Sequence, residues 1–351
     1  MTTHPRHPPR GVRRLKCGAR GRVQPSESRA GEFQTTGATV AQSKIEWTER
    51  VWNPVTGCTK VSQGCKNCYA ERMAKRLAGR CGYPADDPFR VTIHSDRLAQ
   101  PLHWRKPSRV FVNSMSDLFH PDVPGGFIAA VFGIMAACPQ HTFQVLTKRP
   151  ARMKTWFEDL KSVGPANRCY PAETCRAHAM NKTLDSVRSK LTGYDTRWPL
   201  PNVWLGVSAE NQETADQRIP LLLQAPAAVR FVSCEPLLGP VDLAGASGGN
   251  DYLGDHWDRN VGPGIDWVIA GGESGPGARP MHLDWARSLR DQCAAARVPF
   301  FFKQWGEWTP IGTSGPHGPR KYDVESGCTR VGKTAARNHL DGRQHLEFPT
   351  L

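Results

Sequence analysis

Phe143-Gln144-Val145-Leu146-Thr147-Lys148-Arg149-Pro150 is a short run of apolar and aromatic residues that ends abruptly in charge. Apolar side chains fall on both faces of the run, as they do in a parallel strand covered on each side. The same form recurs along the chain. Arg109-Val110-Phe111-Val112-Asn113 precedes it, and Val203-Trp204-Leu205-Gly206-Val207 and Val229-Arg230-Phe231-Val232-Ser233 follow. Asp266-Trp267-Val268-Ile269-Ala270 and Pro299-Phe300-Phe301-Phe302-Lys303 complete six runs, and Ile45–Val55 offers a seventh. Between them lie amphipathic stretches with helical spacing, including Pro124–Cys138, Gln212–Leu223 and Leu283–Ala296. Strand–helix alternation repeated this often predicts an α/β chain, a partial (β/α) barrel of about six to seven parallel strands.

In such a barrel the C-terminal strand ends gather on one face, where chemistry is carried. Here they read Asn113-Ser114-Met115-Ser116-Asp117, Lys148-Arg149, Glu210-Asn211, Glu235-Pro236, Gly272-Glu273 and Gln304-Trp305. Helix N-caps explain Ser116 or Asp117. They do not explain Lys148, Glu210, Glu235 or Glu273, so a shared functional face is expected. Most of the eleven tryptophans should pack in the core, with Trp305 and Trp308 as candidates for a substrate wall.

Composition narrows the class. The chain has 351 residues and a formal charge of +14. Residues 1–40 hold eight basic and two acidic residues and account for +6 of it. A basic, Pro/Arg/Ser/Gly-rich, disordered tail is expected over 1–41. The +8 on the remainder hints at a polyanionic partner such as nucleic acid. The barrel is expected over 42–309 with loop insertions at 162–200 and 244–264, and a C-terminal extension over 310–351 packing on it. No apolar run is long enough for a membrane span, and no N-terminal apolar export segment is present. A cytoplasmic protein with reduced thiols is the expectation, which leaves metal binding for any cysteine cluster.

One cluster stands out among the eleven cysteines. Asn53-Pro54-Val55-Thr56-Gly57-Cys58-Thr59-Lys60-Val61-Ser62-Gln63-Gly64-Cys65-Lys66-Asn67-Cys68-Tyr69-Ala70 has the spacing C-x6-C-x2-C. Gly57 and Gly64 each precede a cysteine and allow tight bends. Three thiolates can hold three irons of a [4Fe–4S] cluster and leave the fourth open. They can also hold zinc, given a fourth ligand from His94, His120 or Cys81, or remain unmetallated thiols.

The loop resembles that of radical S-adenosylmethionine (SAM) enzymes, and especially the subgroup related to spore photoproduct lyase. Asn53-Pro54, Gly57-Cys58, Cys65-x-x-Cys68-Tyr69-Ala70 and Leu146-Thr147-Lys148 carry that resemblance. From about residue 42 onward the chain also resembles an uncharacterised phage-associated bacterial family. Shared blocks are Thr147–Pro150, Val207–Asn211, Arg230–Pro240, Gly271–Gly275 and Val331–Gly342. The first two cysteines are spaced by six rather than three, and Asn67 stands where an aromatic residue is usual. Gly271-Gly272-Glu273 has the letters of a methionine-binding motif on a later strand than usual, and that role is not carried over to it.

The resemblance implies a radical SAM enzyme with an unknown substrate, nucleic acid being one candidate. Cys58, Cys65 and Cys68 would bind a [4Fe–4S] cluster. SAM would be cleaved reductively to a 5′-deoxyadenosyl radical, with electrons from a donor such as a flavodoxin or ferredoxin. Lys148 or Arg218 would meet the SAM carboxylate, and Glu210, Asp117 and Glu235 its hydroxyl or amino groups. The competing expectation is a non-catalytic nucleic-acid-binding protein stabilised by zinc or iron–sulfur.

Overall fold

In the computed structural model, residues 43, 45–162, 175, 177, 197–254, 263–312 and 321–350 are described. The basic tail, most of the 162–200 insertion and Cys169 lie outside them.

Seven parallel strands form one curled sheet, a half-barrel. Among the described residues five further short strands lie outside it, β2 (Val55–Thr56) and β3 (Thr92–Ile93) being two of them. Numbered along the chain, the sheet strands are β1 (Arg50–Trp52), β4 (Arg109–Val112), β5 (Thr142–Thr147), β6 (Val203–Ser208), β7 (Val229–Cys234), β8 (Trp267–Gly271) and β9 (Phe300–Gln304). Their order in the sheet is their order in the chain, with β1 and β9 as the edges. The register runs Arg50↔Val110, Val110↔Phe143, Phe143↔Val203, Trp204↔Val229, Phe231↔Trp267 and Val268↔Phe300.

Alternation along the strands separates two cores. Val110, Val112, Phe143, Val145, Leu205, Val207, Val232, Val268, Phe300 and Phe302 face the helices. Those helices include α2 (Gly125–Ala136), α3 (Pro150–Ser162), α4 (Gln212–Leu223) and α5 (Leu283–Ala295). Helix α2 is apolar around its whole circumference and is almost entirely buried, with Phe132 against Trp156 of α3 at 4.9 Å. Helix α4 starts at a capping box in which Asn211 and Thr214 satisfy each other's backbone amides.

The opposite parity fills the bowl. Trp204, Phe231, Trp267, Ile269 and Phe301 pack with Trp47 into an aromatic floor. Burying each such side chain contributes about 1.5–3 kcal/mol. Gly206 is required here, because a Cβ on it would stand 2.5 Å from the Phe231 ring.

The C-terminal segment seals the β9 edge. Phe302 N–H donates to His345 O at 2.8 Å, and Phe348 lies 5.1 Å from Trp267. Trp308 belongs to a small antiparallel sheet made of β10 (Trp308–Pro310), β11 (Tyr322–Asp323) and β12 (Cys328–Arg330). The described part of the 244–264 segment starts as a tight turn, with Asp242 accepting from the amides of Ala244, Ala246 and Ser247. Among the described residues, no helix is long and apolar enough to cross a membrane.

Candidate functional site at the barrel mouth

The residues at the C-terminal strand ends continue the inward parity of the bowl. Lys148, Glu210, Glu235, Glu273 and Lys303 therefore sit above the aromatic floor. The cysteine loop lies over two of them, Glu210 and Glu273.

The loop begins beside the β4 end. Gly57 bridges Ser116 in parallel register and its N–H donates to Met115 O at 3.0 Å. Gly57 has φ +83, and a Cβ there would stand 2.2 Å from Arg90 O. Thr59 then accepts from Arg149 Nη2 at 2.7 Å through its Oγ1, which also pairs with His120 Nε2 at 2.8 Å. Burial, and then Arg149, lower the His120 pKa, so the ring is neutral at pH 7 and acts as a hydrogen-bonding post.

Midway, the loop rests on Glu210. Ser62 Oγ donates to Glu210 Oε1 at 2.8 Å. Gly64 lies so close that a Cβ on it would be 2.3 Å from the same oxygen. Glu210 is 1% exposed. It is held by Arg218 Nη1 at 3.0 Å and Lys148 Nζ at 3.3 Å. Burial alone would raise the Glu210 carboxyl. The Lys148 and Arg218 charges and the Ser62 hydroxyl outweigh it and leave the carboxyl below the usual glutamate range.

The far end of the loop is fixed at β8. Asn67 Nδ2 donates to Glu273 Oε2 at 2.9 Å and to Gly277 O at 2.8 Å. Arg279 grips Glu273 through two nitrogens and donates to Gln63 O at 3.0 Å. Arg72, on α1 (Tyr69–Arg76), donates to Ser274 O at 2.9 Å. The loop is thus laid across the mouth from β4 to β8.

Each expected ligand residue has a definite place. Arg218 is turned into Glu210 and Ser208 O, and its role is to position that carboxylate. Asp117 accepts from Thr147 Oγ1, Phe119 N–H and Lys148 N–H, which fixes the turn after β5. Lys148 is one-fifth exposed and keeps N–H donors for a ligand. Glu235 pairs with Lys303 beside Gly271.

Cys58, Cys65 and Cys68 are half-buried free thiols. Burial, and then Asp117, push the Cys58 thiol up to about 11 against the pull of Arg149. The donor set is of the kind that a thiolate-bound metal centre takes. It is not closed around one point, because among the described residues no three Cys, His, Asp or Glu are gathered as a metal ion requires. His94 is engaged with Thr56 Oγ1 at 2.8 Å and His120 with Thr59, so neither stands as a ready fourth zinc ligand. Trp305 and Trp308 are buried, with their indole N–H groups donating to His339 O and Ala278 O. They are core residues, not a substrate wall.

The sequence pattern gave no role to Thr59, Arg149, Asn67 or Arg279, offered His120 only as a zinc ligand, and marked Glu273 only as a residue of the shared face. The adjacent Lys148-Arg149 pair was the available signal for one of them, and Glu273 carried a role that was not transferred. Asn113 is a further case. Its φ is +61 in a non-glycine residue, Oδ1 accepts from Val55 N–H at 3.2 Å, and its buried Nδ2 has no partner among the described residues.

A (β/α) half-barrel with a three-cysteine loop laid over its C-terminal mouth is the class that fold and site define. The chain belongs to the family described as a protein of unknown function (DUF5131), which matches residues 42–349. No curated protein and no solved structure matches it.

Proposed function

We propose that the protein is a radical-SAM-type enzyme in which Cys58, Cys65 and Cys68 hold an iron–sulfur cluster at the barrel mouth. The observation that carries this reading is the loop's anchorage: Ser62 on Glu210 and Asn67 on Glu273 tie the cysteine segment to two strand ends. A cluster bound through three thiolates supplies an electron and one open coordination position to a SAM molecule beside it.

The chain's own residues then have separable tasks. Lys148 offers N–H donors to the SAM carboxylate. Glu210 is a positioning residue, held by Arg218 and holding Ser62. Asp117 fixes the backbone that presents Lys148. The loop shields the bowl from water, and the aromatic floor closes it from below. Loading the centre requires the three thiols to lose their protons and the loop to draw them together.

Anaerobic reconstitution with iron and sulfide tests this reading. The expected result is a visible iron–sulfur chromophore that Cys58→Ala, Cys65→Ala and Cys68→Ala each abolish. Cys234→Ala and Cys293→Ala, both buried in the helix-side core, should retain it. Stoichiometric zinc with no chromophore after reconstitution would instead support a metal-stabilised, non-catalytic binding protein.

A further inference from the structure

A second polar cleft lies apart from the cysteine loop. It has a volume of about 350 Å³ and is lined by Glu46, Lys303, Gln304, Lys333, Arg337 and His339 among others. Glu46 precedes β1 and Lys303 belongs to β9, so the cleft is lined from the β1 and β9 sides of the half-barrel.

Three cations converge there. Lys303 is neutralised by Glu235, and Lys333 stands 3.4 Å from Glu46. Arg337 is different. The residue is exposed, and its side chain has no ion-pair or hydrogen-bond partner among the described residues. Its backbone is held at φ +59 and ψ −164, a region that is nearly glycine's alone. The surroundings impose that conformation, since Trp305 N–H donates to Arg337 O at 3.2 Å and Trp305 Nε1 to His339 O at 2.8 Å. Arg337 thus joins a strained backbone, an unpartnered side chain and a place on the cleft wall, and a binding role accounts for all three.

We infer that this cleft binds the phosphate of a small phosphorylated ligand of nucleotide size, with Arg337 as the principal anion contact. The guanidinium fork matches two phosphate oxygens, and Lys333 adds a point charge. Asn338 and His339 bring amide and imidazole groups to the same wall and suit the polar remainder of such a ligand. The volume falls at the lower end of the roughly 300–1,000 Å³ usual for small-molecule sites. The inference does not rest on the cysteine loop holding a metal.

The experiment is calorimetric titration of the full chain at low salt with adenosine monophosphate, inorganic phosphate, adenosine and a single-stranded oligonucleotide. Adenosine monophosphate and phosphate should bind and adenosine should not. Arg337→Ala should weaken adenosine monophosphate binding roughly 10- to 100-fold, the loss expected for a charge-assisted contact. Arg337→Lys should fall between. Arg337→Gly should lose binding equally yet melt at a higher temperature than Arg337→Ala, because glycine relieves the strain. Should the Arg337 variants fail to fold, Lys333→Ala serves, with a smaller loss expected. Unchanged affinity in the variants that fold, or no binding of any phosphate probe, overturns the inference. Binding of the oligonucleotide alone overturns it too, since the phosphate would then belong to a polymer.

Discussion

Replacing Glu210 with glutamine keeps the shape of the side chain and removes its charge. The carboxylate meets Ser62 Oγ at 2.8 Å, Arg218 Nη1 at 3.0 Å and Lys148 Nζ at 3.3 Å. Arg218 is itself only 6% exposed, so the variant strands a buried positive charge. Removing one partner of a buried pair costs about 3–5 kcal/mol. The amide oxygen still accepts one hydrogen bond, so the expected loss is near the lower limit, about 3 kcal/mol. Urea unfolding of Glu210→Gln, Arg218→Met and the double variant measures it. The double variant should recover on the order of 2 kcal/mol relative to additivity, since contacting residues couple. The sign of the pH dependence follows from the depressed carboxyl. Its contribution is present above the ordinary glutamate value of 4.5 and is lost as pH falls through the lower folded value. The gap between the wild type and Glu210→Gln should therefore shrink on acidification below that value. A variant within about 0.5 kcal/mol of the wild type, the range of an ordinary surface change, refutes the buried triad.

The remaining predictions are narrower. Gly64→Ala drives a Cβ into the Glu210 carboxylate and should cost about 1–3 kcal/mol while speeding amide hydrogen exchange over residues 58–68; unchanged exchange there contradicts the close approach. Glu273→Gln weakens the grip of Arg279 and Asn67, so the same segment should exchange faster, with β5 unaffected in the same experiment. Asp341, held at about 2 chiefly by Arg287 and also by Arg290, lies on a wet surface. Asp341→Asn should cost under about 1 kcal/mol in thermal unfolding at pH 7, and a larger loss contradicts that view of it.

The strands were legible because both faces of the sheet are buried. Runs such as Phe143–Thr147 and Trp267–Ala270 cannot hide their apolar character when one parity meets helices and the other meets an aromatic floor. Strand β1 was the hardest to place, since only Arg50–Trp52 pairs and it carries two half-exposed residues at a sheet edge. The strand-end carboxylates were visible as unusual residues. Their partners were not, because Ser62 meets Glu210 across 148 positions and Asn67 meets Glu273 across 206. Arg218 looked available for a ligand until the fold gave it a buried carboxylate. Trp305 looked exposed beyond a strand end until the C-terminal segment covered it. Arg337 left no trace in the pattern, because backbone strain is imposed by tertiary contacts rather than written in residue type.

Electron paramagnetic resonance of the anaerobically prepared, dithionite-reduced protein, with and without SAM, is the most direct measurement of the central claim. The expected result is one reduced [4Fe–4S] signal per chain whose form changes when SAM is added, showing an iron with room for it beside the three sulfurs. A protein that carries no such signal after reconstitution, or one whose signal is indifferent to SAM, contradicts the claim.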